Sequence, residues 1–479
     1  MILALDYITE IVYDNRNMNR FAAAAVKAIR MLAPAVDGDF DLLGVPAIRA
    51  AILRREFPGV LRLCALAVFV ALAVLAWGVF APSGVNAKLF AKTHPSTLLI
   101  WGVWWPAMVW VAVLFGRLWC MVCPLELVSA AGGRAGEAIG LPRRPLPGWI
   151  ASGAVIVGLY ALIQMLVAGA HINRVPAYTS LFLIGLLTAA MFAGAFFRDR
   201  AFCRGFCPVG LLLGTYGRGG MLAVRPGPRA VPADARTCPS LLNPPKLDSN
   251  KDCLVCCKCV QACEPGHMRL LLRAPFSQRD GRQADAPWPV TLFVMLVSGF
   301  VTWELTTEWP AAEGIFLTVP VFIAAKLGWP WAAGWLEGVW ALVVVPLSMW
   351  TALAAVLRLL GARESVGGLW RKMAVPLAVV VSVGHMSKGL AKFVSWAPFL
   401  PEALWDPAKA IASKAVASPP ALLSLSTVGL AGLGLLLAAA CYAVREIWLA
   451  DKDAHPWAPL PVIVLSGAFA LIILGWILQ

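Results

Sequence analysis

Residues 97–117 read TLLIWGVWWPAMVWVAVLFGR, with no charge until the closing Arg117. A run of about 20 apolar residues crosses the hydrocarbon core of a bilayer as one helix. An arginine at its end marks an inner membrane boundary. The chain continues Leu118-Trp-Cys120-Met-Val-Cys123-Pro124, which sets two cysteines just past that boundary. A second apolar run, at about 179–197, ends the same way, with Arg200-Ala-Phe-Cys203-Arg-Gly-Phe-Cys207-Pro208. In each, an arginine stands three residues before the first cysteine and a proline follows the second. The unit repeats after about 84 residues, one helical hairpin per copy.

The rest of the chain has the same character. Its 479 residues are 60% hydrophobic and only 14% charged, a composition that excludes an ordinary soluble domain. Nine spans are expected, at about 60–81, 97–117, 148–169, 179–197, 288–307, 338–360, 372–390, 420–443 and 457–478. The stretch Gly314–Ala325 is too short for a span and is read as re-entrant or interfacial. The expected fold is an all-α polytopic membrane protein of about nine transmembrane helices with a small cytoplasmic ferredoxin-like iron–sulfur segment. It divides into an N-terminal segment (1–57), a four-helix membrane core with two Cys-Pro motifs (58–209), a cytoplasmic ferredoxin-like segment (210–287) and a C-terminal membrane domain of about five helices (288–479). Within the first of these, Tyr7–Met31 reads either as an amphipathic helix on the membrane surface or as part of a soluble extension.

The net charge is +14. No basic stripe with interleaved aromatics accompanies it, so nucleic acid is not an expected partner. The positive-inside rule accounts for the excess. Arg49, Arg54, Arg55 and Arg62 precede the first span, which places the N-terminus in the cytoplasm. Alternation then puts 118–147, 198–287, 361–371 and 444–456 on the same side, and most of the 40 Lys and Arg residues fall there. The C-terminus is expected outside. The location that follows is the cytoplasmic (inner) membrane of a bacterium, with lipid as the surrounding partner.

Twelve cysteines are present, and ten lie between Cys120 and Cys263. Pairs and tight runs favour metal over disulfides. The tightest run is Cys253-Leu-Val-Cys256-Cys-Lys-Cys259-Val-Gln-Ala-Cys263, the C-x₂-C-x₂-C-x₃-C spacing of a bacterial-type ferredoxin. It faces the reducing cytoplasm, where thiolates stay available to iron. Cys120, Cys123, Cys203 and Cys207 add four thiols, and the eight together match two [4Fe–4S] clusters. The helix-end pairs form one set and the run the other, or one cysteine is exchanged between them. Copper(I) is an alternative for the helix-end pairs. Cys238, followed by Pro239, is an additional candidate ligand, displaced in sequence and able to swap with one of the eight, or a loop cysteine with no role. Cys257 is read as a packing residue, and Arg117 and Arg200 as counter-charges for a cluster or as phospholipid anchors.

The hairpin repeat ending in Cys-Pro, followed by a cytoplasmic ferredoxin run, resembles a family of membrane-bound polyferredoxins. The family includes the quinol-oxidising membrane subunit of periplasmic nitrate reductase systems, the membrane iron–sulfur flavoprotein of nitrous oxide respiration and the copper-reducing assembly ferredoxin of cbb3-type oxidases. The resemblance covers about residues 95–275. It implies four core helices, two [4Fe–4S] clusters on the eight cysteines above, and electron passage between the quinone pool and a protein redox partner. The chain departs from the family in the two-residue spacing of its first pair, in its single complete ferredoxin run and in Glu264, which separates Cys263 from its proline.

The C-terminal half holds the remaining candidates. Trp303, Trp309, Trp329, Trp331, Trp335 and Trp340 read as an aromatic belt at the outer face or as the walls of a quinone pocket. Glu304 and Glu308 stand one turn apart at the outer end of the fifth span, as quinol proton acceptors or as a hydrated helix end. His385 is the one histidine well inside a span, with Lys388 and Lys392 on its face. It reads as a packing residue, a quinone hydrogen-bond partner, or an axial ligand of a b-type haem whose second ligand is His94 or His171. The expected function is electron transfer by a subunit of a quinone-linked oxidoreductase complex. The alternatives are a metallocentre-assembly or copper-reducing factor and a redox sensor.

Overall fold

A computed structural model gives the fold and describes residues 39–54, 56–229, 238, 240–250, 252–273, 286–406, 419–451 and 454–479. The expected helix at Tyr7–Met31 lies outside the described residues. The main helices are α1 (Pro46–Leu53), α2 (Gly59–Leu75), α3 (Pro95–Phe115), α4 (Pro124–Ala138), α5 (Ala154–Gly169), α6 (Pro176–Phe196) and α7 (Gly210–Tyr216). They continue with α8 (Lys258–Gln261), α9 (Trp288–Thr306), α10 (Pro310–Leu327), α11 (Ala333–Leu359), α12 (Val366–Trp396), α13 (Leu425–Ala450) and α14 (Leu460–Leu478). Proline opens α3, α4, α6 and α10, where its missing N–H costs the helix nothing.

Eight of these helices, α3, α6 and α9 to α14, are long and apolar enough to cross a membrane. Two expected spans come out shorter, α2 with 17 residues and α5 with 16. The cause is local. The chain beyond α2 turns at Gly78, with φ 69°, and Gly153, with φ 97°, separates the turn Gly148–Ala151 from α5. Both values lie in the left-handed region that glycine enters without a Cβ clash.

The stretch 314–325 differs from expectation in the other direction. It belongs to α10, a full 18 residues. Its ends nevertheless sit at one end of the bundle. Glu308, just before α10, pairs with Lys388 near the C-terminal end of α12. Trp335, just after it, packs on Gly169 at the end of α5. Arg371, at the start of α12, lies at the opposite end, where its Nε donates to Ala286 O at 2.9 Å. Length alone therefore overstates α10 as a crossing helix, and little of it is buried in the bundle.

The core of the bundle runs through α9 and α12, whose buried faces include Phe293, Val297, Leu377 and Val381. At the end that carries the cysteine pairs, α4 crosses α6 at backbone contact. A Cβ at Gly194 would fall on Ser129 O, and one at Gly132 on Met191 O. Small residues permit this approach in membrane helices. Gly194→Ala is expected to force the pair apart and cost about 1–3 kcal/mol, read as an earlier thermal transition in detergent. An unchanged transition would mean the crossing relaxes freely.

Beside the bundle stands a small antiparallel sheet in the order β1 (Phe40–Asp41), β3 (Met268–Leu272), β2 (Leu222–Pro226). It packs with Ile52, Val255 and Val260 into a separate minor core. The N-terminal segment is thus joined to the cysteine segment. β1 pairs with β3, and the Gln261 side chain donates to Ile52 O at 2.7 Å and Phe57 O at 3.1 Å.

Candidate metal centre

The two Cys-Pro pairs differ by one residue, and the structure absorbs the difference in a single turn. Leu118–Val122 is α-helical, whereas Phe202–Phe206 is a π turn closed by Cys207 N–H on Phe202 O at 2.8 Å. The wider turn takes in the extra residue. Both second cysteines then adopt the extended backbone that a following proline demands, with ψ 126° at Cys123 and 111° at Cys207.

The result is one cavity walled by Cys120, Cys123, Cys203 and Cys207, with Trp104, Trp119 and Arg117. Burial pushes the Cys203 thiol up to about 12, and Cys120 nearby adds to the shift. Cys123 and Cys207 are also raised for the same two kinds of reason, burial first and neighbouring thiols second. Neighbouring thiols raised in this way ionise together only if a cationic centre offsets the charge. Arg117 is one such cation. Burial opposes its charge, but Cys120, Asp252 and Cys207 outweigh burial and hold it protonated. Its Nε and the Trp104 indole N–H are buried donors with no partner among the described residues.

Arg200, placed at the matching offset in the repeat, does something different. Its guanidinium lies 2.6 Å from Glu126, which also pairs with Arg62. Arg62 Nε donates to Met121 O at 2.8 Å, inside the first cysteine pair. All three side chains are nearly buried. This clasp ties α2, the start of α4 and the Arg200 loop together beneath the cavity. Sequence reading missed Glu126, although an acid three residues after Cys123 in an otherwise apolar stretch is a visible signal.

A second cavity lies beside the Cys253–Cys263 run, walled by Cys238, Cys253, Cys256, Cys257 and Cys259. Val255 and Cys257 have φ of 50° and 55° and bracket Cys256. Left-handed residues in such a loop turn successive N–H groups to one side, a nest for anions. Burial, chiefly, pushes Cys253 to about 11 and Cys257 to about 12. Cys263 follows α8 and packs against the minor core.

A third cavity, of ≈ 400 Å³, joins the two. It shares Arg117 and Cys203 with the first, and Ser240, Leu242 and Leu254 with the second. Among the described residues no three His, Cys, Asp or Glu side chains close on a single metal ion.

The membrane candidates fall into place around α12. His385 is 3% exposed, with Nδ1 3.3 Å from the Tyr216 hydroxyl. Its ring neighbours are Trp105, Tyr216 and Phe300, and neither His94 nor His171 is among them. His94 accepts the Ser96 N–H, and His171 lies exposed in a turn. Lys388 donates to Glu308 and Thr307, each at 2.5 Å. Glu304 lies near His385 and Lys392. Trp105 touches both His385 and the first cysteine cavity. Tyr216, which no sequence signal marked, is the link between α7 and His385.

Comparison with protein-family profiles, with curated proteins and with solved structures finds no match.

Proposed function

We propose that the chain is a membrane iron–sulfur protein that passes single electrons between the quinone pool and a protein redox partner through two [4Fe–4S] clusters. In this reading α2, α3, α5, α6, α9 and α11 to α14 cross a bacterial cytoplasmic membrane and α10 lies at its outer face. The cysteine cavities then face the cytoplasm. The observation that carries the proposal is the pairing of two cysteine-walled cavities at one end of the bundle, joined by a third that both share. A four-iron cubane takes one thiolate at each iron corner, so its ligands need not close on a single ion.

The chain's own residues do the tuning. Cys120, Cys123, Cys203 and Cys207 would hold one cluster at the membrane edge, and the Cys253 loop the other. A bound cluster supplies one-electron chemistry; the protein sets its potential and position. Arg117 and the Trp104 N–H favour the reduced, more negative state. Support for a quinone is chemical. His385, Tyr216, Lys388 and Glu308 are buried or half-buried proton-exchanging groups, and Trp105 stands between His385 and the first cavity. Ionisable residues at this depth mark function by default.

The test is anaerobic purification followed by iron and acid-labile sulfide assay, EPR and addition of a short-chain quinol. About eight iron and eight sulfide per chain are expected, with cluster signals appearing on quinol addition. Cys120→Ser is expected to remove about half the iron. A chain without iron ends the reading, and one with iron that no quinol reduces ends its quinone arm. The same soft thiols suit copper(I), so loss of copper(II) reduction in Cys203→Ser protein free of iron would favour metal handling instead.

A further inference from the structure

The ferredoxin-type run offers four spaced cysteines in sequence, but the cavity in that segment is walled by five thiols that do not include the last of them. Its wall takes Cys253, Cys256 and Cys259 from the run and Cys238 from fifteen residues upstream. Cys263, one turn beyond Cys259, does not line that wall.

We propose that Cys238, and not Cys263, completes the thiolate set of the loop cavity with Cys253, Cys256 and Cys259. The assignment rests on the iron–sulfur reading above. Its physical reason is the pitch of the run. Three thiolates spaced by two residues wrap three corners of a cubane, and the next cysteine, past a helical turn, faces away from the fourth. That corner needs a residue from another stretch of chain.

Cys257 is the other thiol on the wall, and it is already engaged. Its Sγ donates to Val255 O at 3.6 Å, and the residue is 2% exposed within the minor core. A thiol that keeps its proton for a carbonyl is not a thiolate ligand. Cys238 is followed by Pro239, as Cys123 and Cys207 are followed by Pro124 and Pro208. Its carbonyl accepts the Leu241 N–H at 3.0 Å in a turn that leads on to Ser240 and Leu242 of the same wall. The sequence thus has three Cys-Pro pairs among its candidate ligands.

The experiment compares Cys238→Ala and Cys263→Ala in the full-length protein, purified anaerobically. It reads iron per chain, the EPR line shape, and alkylation of each cysteine by mass spectrometry before and after iron is stripped by ferricyanide and chelator. Cys238→Ala is expected to lose about half the iron or to show a three-iron signal, while Cys263→Ala keeps full iron. In the untreated protein Cys238 should resist alkylation and become reactive once iron is removed. Loss of iron in Cys263→Ala, or alkylation of Cys238 in protein carrying full iron, overturns the assignment alone. Wild-type protein without iron overturns the assignment together with the reading it rests on.

Discussion

Glu126→Gln is expected to loosen the end of the bundle that carries the two Cys-Pro pairs and, on the iron–sulfur proposal, to release the iron held there. Among the described residues the carboxylate is the one anion paired with Arg62 and Arg200, and all three side chains are under a tenth exposed. Neutralising it leaves two like charges close together with no counter-ion. Removing one partner of a buried ion pair costs about 3–5 kcal/mol, because the orphaned charge keeps its desolvation penalty. Here two guanidinium groups are orphaned. Arg62 also holds Met121 O, so its displacement reaches directly into the Cys120–Cys123 turn. The measurement is the thermal transition in detergent together with iron per chain. The transition should fall by several degrees and about half the iron should be lost. A triple replacement, Arg62→Met with Glu126→Met and Arg200→Met, removes the charges together and should restore much of the transition, since apolar residues of similar volume replace buried triads at little cost. If Glu126→Gln leaves both readouts unchanged, the clasp is ornamental.

The distribution of what the sequence disclosed follows the range of the interactions involved. Helices α3, α6, α9 and α11 to α14 lie close to the expected spans because hydrophobic length is a local property. The helix ends at Ala76 and Gly153 were missed because a left-handed glycine inside an apolar run carries no hydropathy signal. The stretch 314–325 was legible in part. Its lying at one end of the bundle agrees with the interfacial reading, but its helical length was underestimated.

The candidate site divides in the same way. The repeat at Cys120 and Cys203 is a pattern of adjacent residues, and the four cysteines do share one cavity. The roles of the two repeated arginines could not be separated from sequence, because they depend on which helix lies across the way. Arg200 meets Glu126, while Arg117 meets Cys120 and Asp252. Cys238 is the sharpest case. Its following proline marked it as a candidate ligand, but only the folding of two separate stretches brings it to the loop cavity. His385 was singled out correctly as a buried polar residue, yet Tyr216, its partner, comes from a short helix that follows the second cysteine pair.

If the proposed cluster fills the cavity of the two Cys-Pro pairs, the separation of Arg117 from Arg200 has a redox consequence. Arg117 is 9% exposed and walls the membrane-edge cavity beside Cys120. A cluster gains a negative charge on reduction, and a fixed cation close to it stabilises that state. At an effective dielectric constant of about 20, a charge about 8 Å away contributes roughly 2 kcal/mol. For a one-electron couple this is on the order of 80 mV. Arg117→Gln is therefore expected to lower the midpoint of one EPR signal by about that amount. Arg117→Lys, which keeps the charge but not the fork, should recover most of it. The second signal, from the Cys253 loop, should move far less, because Arg117 reaches that cavity only across the shared space. Iron content serves as the control: a merely structural arginine would lose iron without shifting the potential of what remains. Equal movement of both signals would place Arg117 as a general surface charge. No movement in either would remove it from the electrostatics of the centre, leaving the Trp104 N–H as the nearest unpartnered donor to examine.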